Sequence, residues 1–108
     1  MKITRESIPI GREHALTRRD LCSITGLNDR EVRRQISALR TQKAEDDMVI
    51  VSVSRNRGYY RTNNPEEIAH FIAEMRKRIR ATRYAIKTAE AALAHIRAKQ
   101  AHFEELGV

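Results

Sequence analysis

Apolar residues recur at helical spacing on either side of Gly26. In the first of these stretches Thr17 is a favourable N-cap, and we predict that Leu21 and Ile24 lie on the inward face of a short helix. Gly26 is placed to end that helix, because glycine readily adopts the left-handed conformation that closes a helix. The pattern predicts a helix before Gly26 and a second helix soon after it.

The second helix begins after Asn28 or Asp29, either of which can cap it. Glu31 follows Asn28 by three residues and completes a capping-box pattern. We expect the helix to continue to about residue 40, with one apolar stripe facing the core. That stripe consists of Val32, Ile36 and Leu39.

A β-hairpin is predicted next. The segment MVIVSVS at 48–54 is rich in β-branched residues and too short for a separate helix. Turn residues follow up to Gly58, and YYRT at 59–62 returns as a second strand. Side chains alternate across a strand, so we expect one of Tyr59 and Tyr60 to pack inward and the other to face outward.

A long helix is predicted to complete the chain. Asn64 can cap it, Pro65 suits its first position, and Glu66 and Glu67 complement the positive end of the helix dipole. Neither glycine nor proline follows until Gly107. The uninterrupted helix would contain about 40 residues and be about 60 Å long.

Apolar residues of this helix follow alternating steps of three and four, which is a heptad pattern. The members of this seam are Ile68, Ile72, Met75, Ile79, Ile86, Ala89, Leu93, Ile96 and Phe103, with Thr82 and Gln100 in its polar positions. One interpretation is an amphipathic helix lying across its own domain. The other is pairing with a partner helix, most simply that of a second copy, in either parallel or antiparallel orientation. The residues predicted to mediate dimerisation are Ile79, Ile86, Leu93, Ile96 and Phe103.

The charge balance favours a polyanionic partner. The 108-residue chain has 21 Lys and Arg against 14 Asp and Glu, which gives a net charge of +7. Aromatic residues make up only 5% of the chain, fewer than a platform for stacking single-stranded bases would need. Duplex DNA is therefore favoured over single strands and RNA.

Several other classes of protein are disfavoured by the composition. No run of apolar residues is long enough for a signal peptide or a membrane span, so we expect a cytoplasmic protein. Cys22 is the only cysteine and is expected to be a small core residue. His95 and His102 lie two helical turns apart, too far for one metal ion without a third element. We expect no enzyme activity, no metal and no cofactor.

TRRDLCSITGLNDREVRRQISALR at 17–40 resembles a helix-turn-helix, and VIVSVSRNRGYYR at 49–61 resembles the wing of a winged helix-turn-helix domain. The likeness is to biotin-repressor-type regulators and to small phage-encoded proteins. It implies an α+β, mostly helical fold, with a winged domain at 1–62 and a dimerising or core-covering helix at 63–108. The segment before residue 17 contains Pro9 and Gly11 and is too irregular for the helix that normally precedes this motif. We expect Ile68, Phe71, Ile72 and Met75 to cover the core there.

The resemblance also implies a DNA-binding surface. In a helix-turn-helix the second helix enters the major groove, where Arg pairs bidentately with guanine. The predicted base-reading residues are Arg30, Arg34 and Ser37, and the predicted phosphate contacts are Arg33, Arg40 and Thr41. At the hairpin tip Arg55, Asn56 and Arg57 would follow the backbone or enter the minor groove. A solvated basic helix and an ordinary polar turn are the alternatives.

The leading hypothesis is therefore a dimeric, sequence-specific protein that binds double-stranded DNA, as a transcriptional regulator or a phage accessory protein. The rival hypothesis is a protein-binding adaptor or inhibitor that uses the same basic surface against an acidic protein partner. The size and charge of the chain fit both.

Overall fold

The computed structural model describes residues 2–43, 45–53 and 58–107. They form an α+β, mostly helical fold with a long C-terminal helix, as predicted, and the sheet has three antiparallel strands. The strands and helices, in chain order, are β1 (Leu16–Thr17), α1 (Arg18–Thr25), α2 (Asp29–Arg40), β2 (Val49–Ser52), β3 (Gly58–Thr62) and α3 (Pro65–Glu105). Two single turns of 3-10 helix, Arg5–Ser7 and Arg12–His14, come before β1.

The predicted limits of α1 are confirmed by its capping contacts. The Thr17 hydroxyl accepts a hydrogen bond from the backbone N–H of Asp20, and the Asp20 carboxylate accepts one from the N–H of Thr17, each at 3.0 Å. At the other end Gly26 has a φ of 75° and donates its N–H to the Cys22 carbonyl at 2.8 Å. Glycine is favoured there because a Cβ is strained in this left-handed conformation.

The cap of α2 differs from the prediction in one respect. Asn28 accepts a hydrogen bond from the N–H of Glu31 at 2.8 Å, as expected of an N-cap. The Glu31 side chain does not return to Asn28, so the predicted capping box is wrong. Its carboxylate instead accepts hydrogen bonds from Arg34 and Gln35, which lie further along the same helix face.

The sheet has the order β1-β3-β2, and both pairs of strands are antiparallel. The hairpin was predicted, whereas β1 was not. Leu16 of β1 lies opposite Tyr59, and Val51 of β2 lies opposite Tyr60. Both tyrosines are buried, on opposite faces of the sheet, so the prediction that one would face outward is wrong. Burial on the second face is possible because the Tyr60 hydroxyl donates to the Glu67 carboxylate of α3.

One hydrophobic core joins α1, α2, the sheet and the N-terminal segment. Its buried members are Ile3, Ile8, Leu21, Val32, Ile36, Leu39, Ile50 and Tyr59. The predicted stripe of α2 is thus confirmed, and Cys22 is half-buried against this core. Ile24 is 61% exposed, which corrects its predicted inward position. The inward face of α1 passes through Leu21, Cys22 and Thr25, and at 100° per residue Ile24 falls beside that face.

The N-terminal segment contributes to the core in a way that the sequence did not predict. Ile3 and Ile8 are almost completely buried, although they lie outside any regular helix. The segment is held by the N–H of Ile3, which donates to Gln35 Oε1 at 2.6 Å, and by Arg61 Nε, which donates to the Ile8 carbonyl at 2.7 Å. No residue of α3 is buried, and Ile72 is 42% exposed. The expectation that the start of α3 covers the core is therefore wrong, because none of its residues is buried.

The chain divides into two compact units, Met1–Ile72 and Ala73–Val108. The first unit contains the sheet, α1, α2 and the first residues of α3. The second consists of the remainder of α3 and the residues after it. Among the described residues, no helix combines the length and the apolar character that crossing a membrane requires.

Candidate nucleic-acid interface

The exposed face of α2 carries most of the residues that the sequence assigned to DNA. This face lies opposite the buried stripe of Val32, Ile36 and Leu39, because the two sets of positions differ by about half a turn of helix. The exposed members are Arg30, Arg33, Arg34, Ser37 and Thr41. Folding thus brings these five predicted residues together on one exposed helix face.

Arg34 is held by a carboxylate of the same helix. Its Nε lies 3.1 and 3.0 Å from the two carboxylate oxygens of Glu31, and its Nη2 donates to the same group. Hydrogen bonds from Arg34, and then from Gln35, lower the pKa of Glu31 to about 2. The same pairing raises the pKa of Arg34. Glu31 was predicted only as part of the helix cap, although its spacing of three residues from Arg34 is a recognised signal for a helix ion pair.

Arg33 is paired with Asp29, which also connects the two helices. Arg33 Nε lies 3.0 Å from Asp29 Oδ2, and Arg18 Nε of α1 lies 3.1 Å from Asp29 Oδ1. Asp29 therefore helps to fix the angle between α1 and α2 through a three-member network. The pairs are partly exposed to solvent, so each is expected to stabilise the fold only weakly.

Arg30 differs from its two neighbours. Within the part of the chain that the structure describes, its guanidinium makes no hydrogen bond or ion pair, and its side chain is exposed. Ser37 follows two turns later on the same exposed face, and the Thr41 hydroxyl donates to the Ala38 carbonyl at 2.8 Å. Arg30 is thus the arginine of this face that can meet an anion without first leaving a carboxylate.

Arg40 lies away from this exposed face. Its guanidinium carbon is 5.4 Å from the centre of the Tyr59 ring and 4.9 Å from that of the Phe71 ring. Its Nε donates to the carbonyl of Ile50 at 3.2 Å. The side chain therefore connects α2, the sheet and the start of α3. A phosphate contact, as predicted from the sequence, would require the guanidinium to leave these positions.

The predicted wing tip lies outside the described residues, and so do Arg55, Asn56 and Arg57. The strands on either side of it are described and pair in register up to Ser52 opposite Tyr59. Beyond them the N–H of Val53 donates to the Gly58 carbonyl at 2.8 Å. The hairpin that would carry these residues is present, and their contact with DNA stays a prediction.

The second unit presents an apolar row. The residues predicted to mediate dimerisation are 44–55% exposed and share one side of α3; they are Ile79, Ile86, Leu93, Ile96 and Phe103. The polar seam residue Thr82 donates its hydroxyl to the Arg78 carbonyl of the same helix at 2.9 Å. An exposed apolar row of this length is a feature of surfaces that bind a partner.

No group of three or more His, Cys, Asp or Glu side chains suited to a metal ion is found among residues 2–43, 45–53 and 58–107. No protein-family model matches the sequence, and comparisons with curated proteins and with solved structures likewise found no match.

Proposed function

We propose that the first unit is a winged helix-turn-helix that binds double-stranded DNA through α2, and that the chain acts as a dimer, as a transcriptional regulator or a phage accessory protein. The observation that carries this proposal is the exposed arginine face of α2. Three arginines lie on the side of the helix opposite its buried stripe, where a recognition helix meets DNA.

The order of the elements supports the winged-helix interpretation. Two helices are joined by a short turn at Gly26 and are followed by a β-hairpin, and β1 adds a third antiparallel strand. In this proposal the N-terminal segment, with its buried Ile3 and Ile8, takes the place of the helix that normally precedes the motif.

In the proposed complex the residues of α2 divide into two groups. Arg30, Arg34 and Ser37 read base edges in the major groove, where an arginine donates two hydrogen bonds to guanine O6 and N7. Arg33 and Thr41 contact phosphates on either side of the groove. Arg34 exchanges the Glu31 carboxylate for a base edge on binding, whereas Arg30 contacts no carboxylate among the described residues.

Charge supplies the general part of the affinity. The chain has a net charge of +7, and cations that neutralise phosphates release counterions, which makes binding strongly salt-dependent. The paired carboxylates of Asp29 and Glu31 reduce the net charge of α2 itself. We infer that base contacts, rather than charge alone, position this helix on DNA.

The test is selection from a random duplex library with the purified protein. The proposal predicts enrichment of one sequence, and Arg30→Ala should weaken binding to that sequence much more than binding to unrelated duplexes. Lys77→Ala is the matched control, because it removes one exposed positive charge outside the proposed interface.

If the protein binds all duplex sequences in the library equally well, the proposal that α2 reads bases is contradicted. Absence of duplex binding at low salt would contradict the whole proposal. The second result would favour an acidic protein as the partner of the same arginine face.

A further inference from the structure

A row of charged residues of alternating sign lies beside the apolar seam in the distal half of α3. Its members are Arg83, Glu90, Arg97 and Glu104, and all are exposed. Successive members are seven residues apart, about 10 Å along the helix, so they are too distant to pair within one helix. Among the described residues, α3 forms no ion pair of its own. The row on the other side of the seam is Arg78, Ala85, Ala92 and Lys99.

These two rows give no clear preference to a parallel pair of helices. In a parallel coiled coil each row faces the other row of the partner, offset by five residues. Arg78 would then meet the partner's Arg83, which is repulsive, and Lys99 would meet the partner's Glu104, which is attractive. The remaining positions oppose alanine to a charged residue. The attractive and repulsive contacts are therefore equal in number.

An antiparallel pair brings each row against the same row of the partner. With Leu93 opposite the partner's Ile96, the seam also places Ile86 opposite the partner's Phe103. In this register Glu90 meets the partner's Arg97, and Arg83 meets the partner's Glu104. Two-fold symmetry makes each contact occur twice. All facing charges on this row are then of opposite sign.

Three other antiparallel registers set like charges against each other along this row. A slip of one heptad in one direction sets Glu90 against the partner's Glu90, and a slip in the other sets Arg97 against the partner's Arg97. A longer overlap, slipped by two heptads, brings Arg76 against the partner's Arg97. Of these four registers only the first avoids like charges along the row.

We propose that α3 binds a second copy of this chain antiparallel through its distal half, in the register that places Leu93 opposite the partner's Ile96. This inference rests on the self-association in the proposed function and not on DNA binding. The exposed apolar side chains supply the affinity, while the charged row selects orientation and register, because exposed ion pairs contribute little to stability but discriminate between alignments. Ala85 and Ala92 line the other side of the seam, where their small side chains permit close approach.

Disulfide crosslinking tests the orientation and the register together. In the proposed pair Ala89 lies opposite the partner's Gln100. With Cys22→Ala as the background, Ala89→Cys and Gln100→Cys are made as separate single-cysteine proteins and oxidised alone or mixed. Only the mixture should give a crosslinked dimer. A crosslink within either protein alone would show parallel pairing, and absence of a crosslink in the mixture would overturn the proposed register.

Charge reversal tests the facing pairs without any cysteine. Glu90→Lys and Arg97→Glu should each weaken self-association about tenfold, measured by sedimentation equilibrium, because each variant sets like charges together at two positions. Mixing the two variants should restore association, and so should combining both changes in one chain.

Lys87→Glu and Glu105→Lys are the controls, because they make the same changes of charge on the outer side of α3. The proposal would be overturned if the control variants weaken self-association as much as Glu90→Lys and Arg97→Glu do. It would also be overturned if mixing Glu90→Lys with Arg97→Glu does not restore association. Neither experiment contains DNA. A negative result would therefore count against the antiparallel pairing of α3 and not against the DNA-binding proposal.

Discussion

Arg34 and Glu31 lie one turn apart on α2, and the Arg34 Nε contacts both carboxylate oxygens at 3.1 and 3.0 Å. The same carboxylate accepts a hydrogen bond from Gln35, whose Oε1 accepts the N–H of Ile3. The acid thus orients one proposed base-reading residue and supports the contact that anchors the N-terminal segment. In the proposed complex with DNA, this carboxylate would compete with DNA for Arg34.

Removal of the Glu31 charge should therefore strengthen binding to duplex DNA. We expect Glu31→Gln to raise the affinity about fivefold at low salt, because it frees the Arg34 guanidinium and removes a negative charge near the phosphates. Fluorescence anisotropy over a series of salt concentrations measures the effect. Glu66→Gln makes the same change of charge at an exposed position outside α2. Equal gains in the two variants would show that net charge alone is responsible.

Removal of Arg34 itself should affect specificity as well as affinity. On the selected sequence Arg34→Ala should lose about 1–3 kcal/mol of binding free energy and relax the preference at one base pair. Arg33→Ala, a proposed phosphate contact, should weaken all duplexes alike and reduce the salt dependence. A competition assay between the selected site and its single-base variants separates the two results. Uniform losses in both variants would contradict the assignment of Arg34 to a base.

The Glu31 ion pair also predicts a pH response. Hydrogen bonds from Arg34 lower the pKa of Glu31 from 4.5 to about 2, so the stability that this pair contributes is fully present above pH 4.5 and is lost as the pH falls towards 2. A carboxyl-detected NMR titration should give a midpoint of about 2. In the Arg34→Ala variant the midpoint should move towards 4.5. An unchanged midpoint would mean that the ion pair does not form in solution.

The features that the sequence predicted correctly depend on neighbours close in the chain. Thr17, Gly26 and Asn28 act through backbone groups only a few residues away, so their roles follow from local sequence. The stripe of α2 follows from helical periodicity. The exposed arginine face could be predicted for the same reason, since burial of one side of a helix leaves the other to solvent.

The features that the sequence did not predict depend on contacts between residues that are far apart in the chain. Ile3 and Ile8 pack into the core without any periodic pattern, and β1 is only two residues long and is defined by its pairing with β3. The position of Arg40 depends on the Tyr59 and Phe71 rings, which come from two other elements. An arginine next to an arginine-rich helix face gives no local indication that it turns inward.

The N-terminal segment should therefore be as important for stability as a core helix. Ile8 is completely buried, whereas Ile10, two residues later, is 57% exposed. Ile8→Ala should lower the free energy of unfolding by about 2–5 kcal/mol, because it leaves a cavity in the core. Ile10→Ala should change it by less than about 0.5 kcal/mol. Urea denaturation measures both, and similar losses in the two variants would show that the segment does not pack as described.

The contact between Tyr60 and Glu67 should connect the sheet to the start of α3. Burial, and then the hydrogen bond to Glu67, raises the pKa of Tyr60 from 10.0 to about 12. Tyr60→Phe should lower the free energy of unfolding by about 1–2 kcal/mol at pH 7, because Glu67 loses its donor. Tyr84→Phe is the control at an exposed position.

Since the folded-state pKa of Tyr60 is raised, the contribution of its hydroxyl to stability is fully present below pH 10 and is lost as the pH rises towards 12. The difference in stability between wild type and Tyr60→Phe should therefore be smaller at pH 11 than at pH 7, and a difference that stays constant would contradict this role of the hydroxyl.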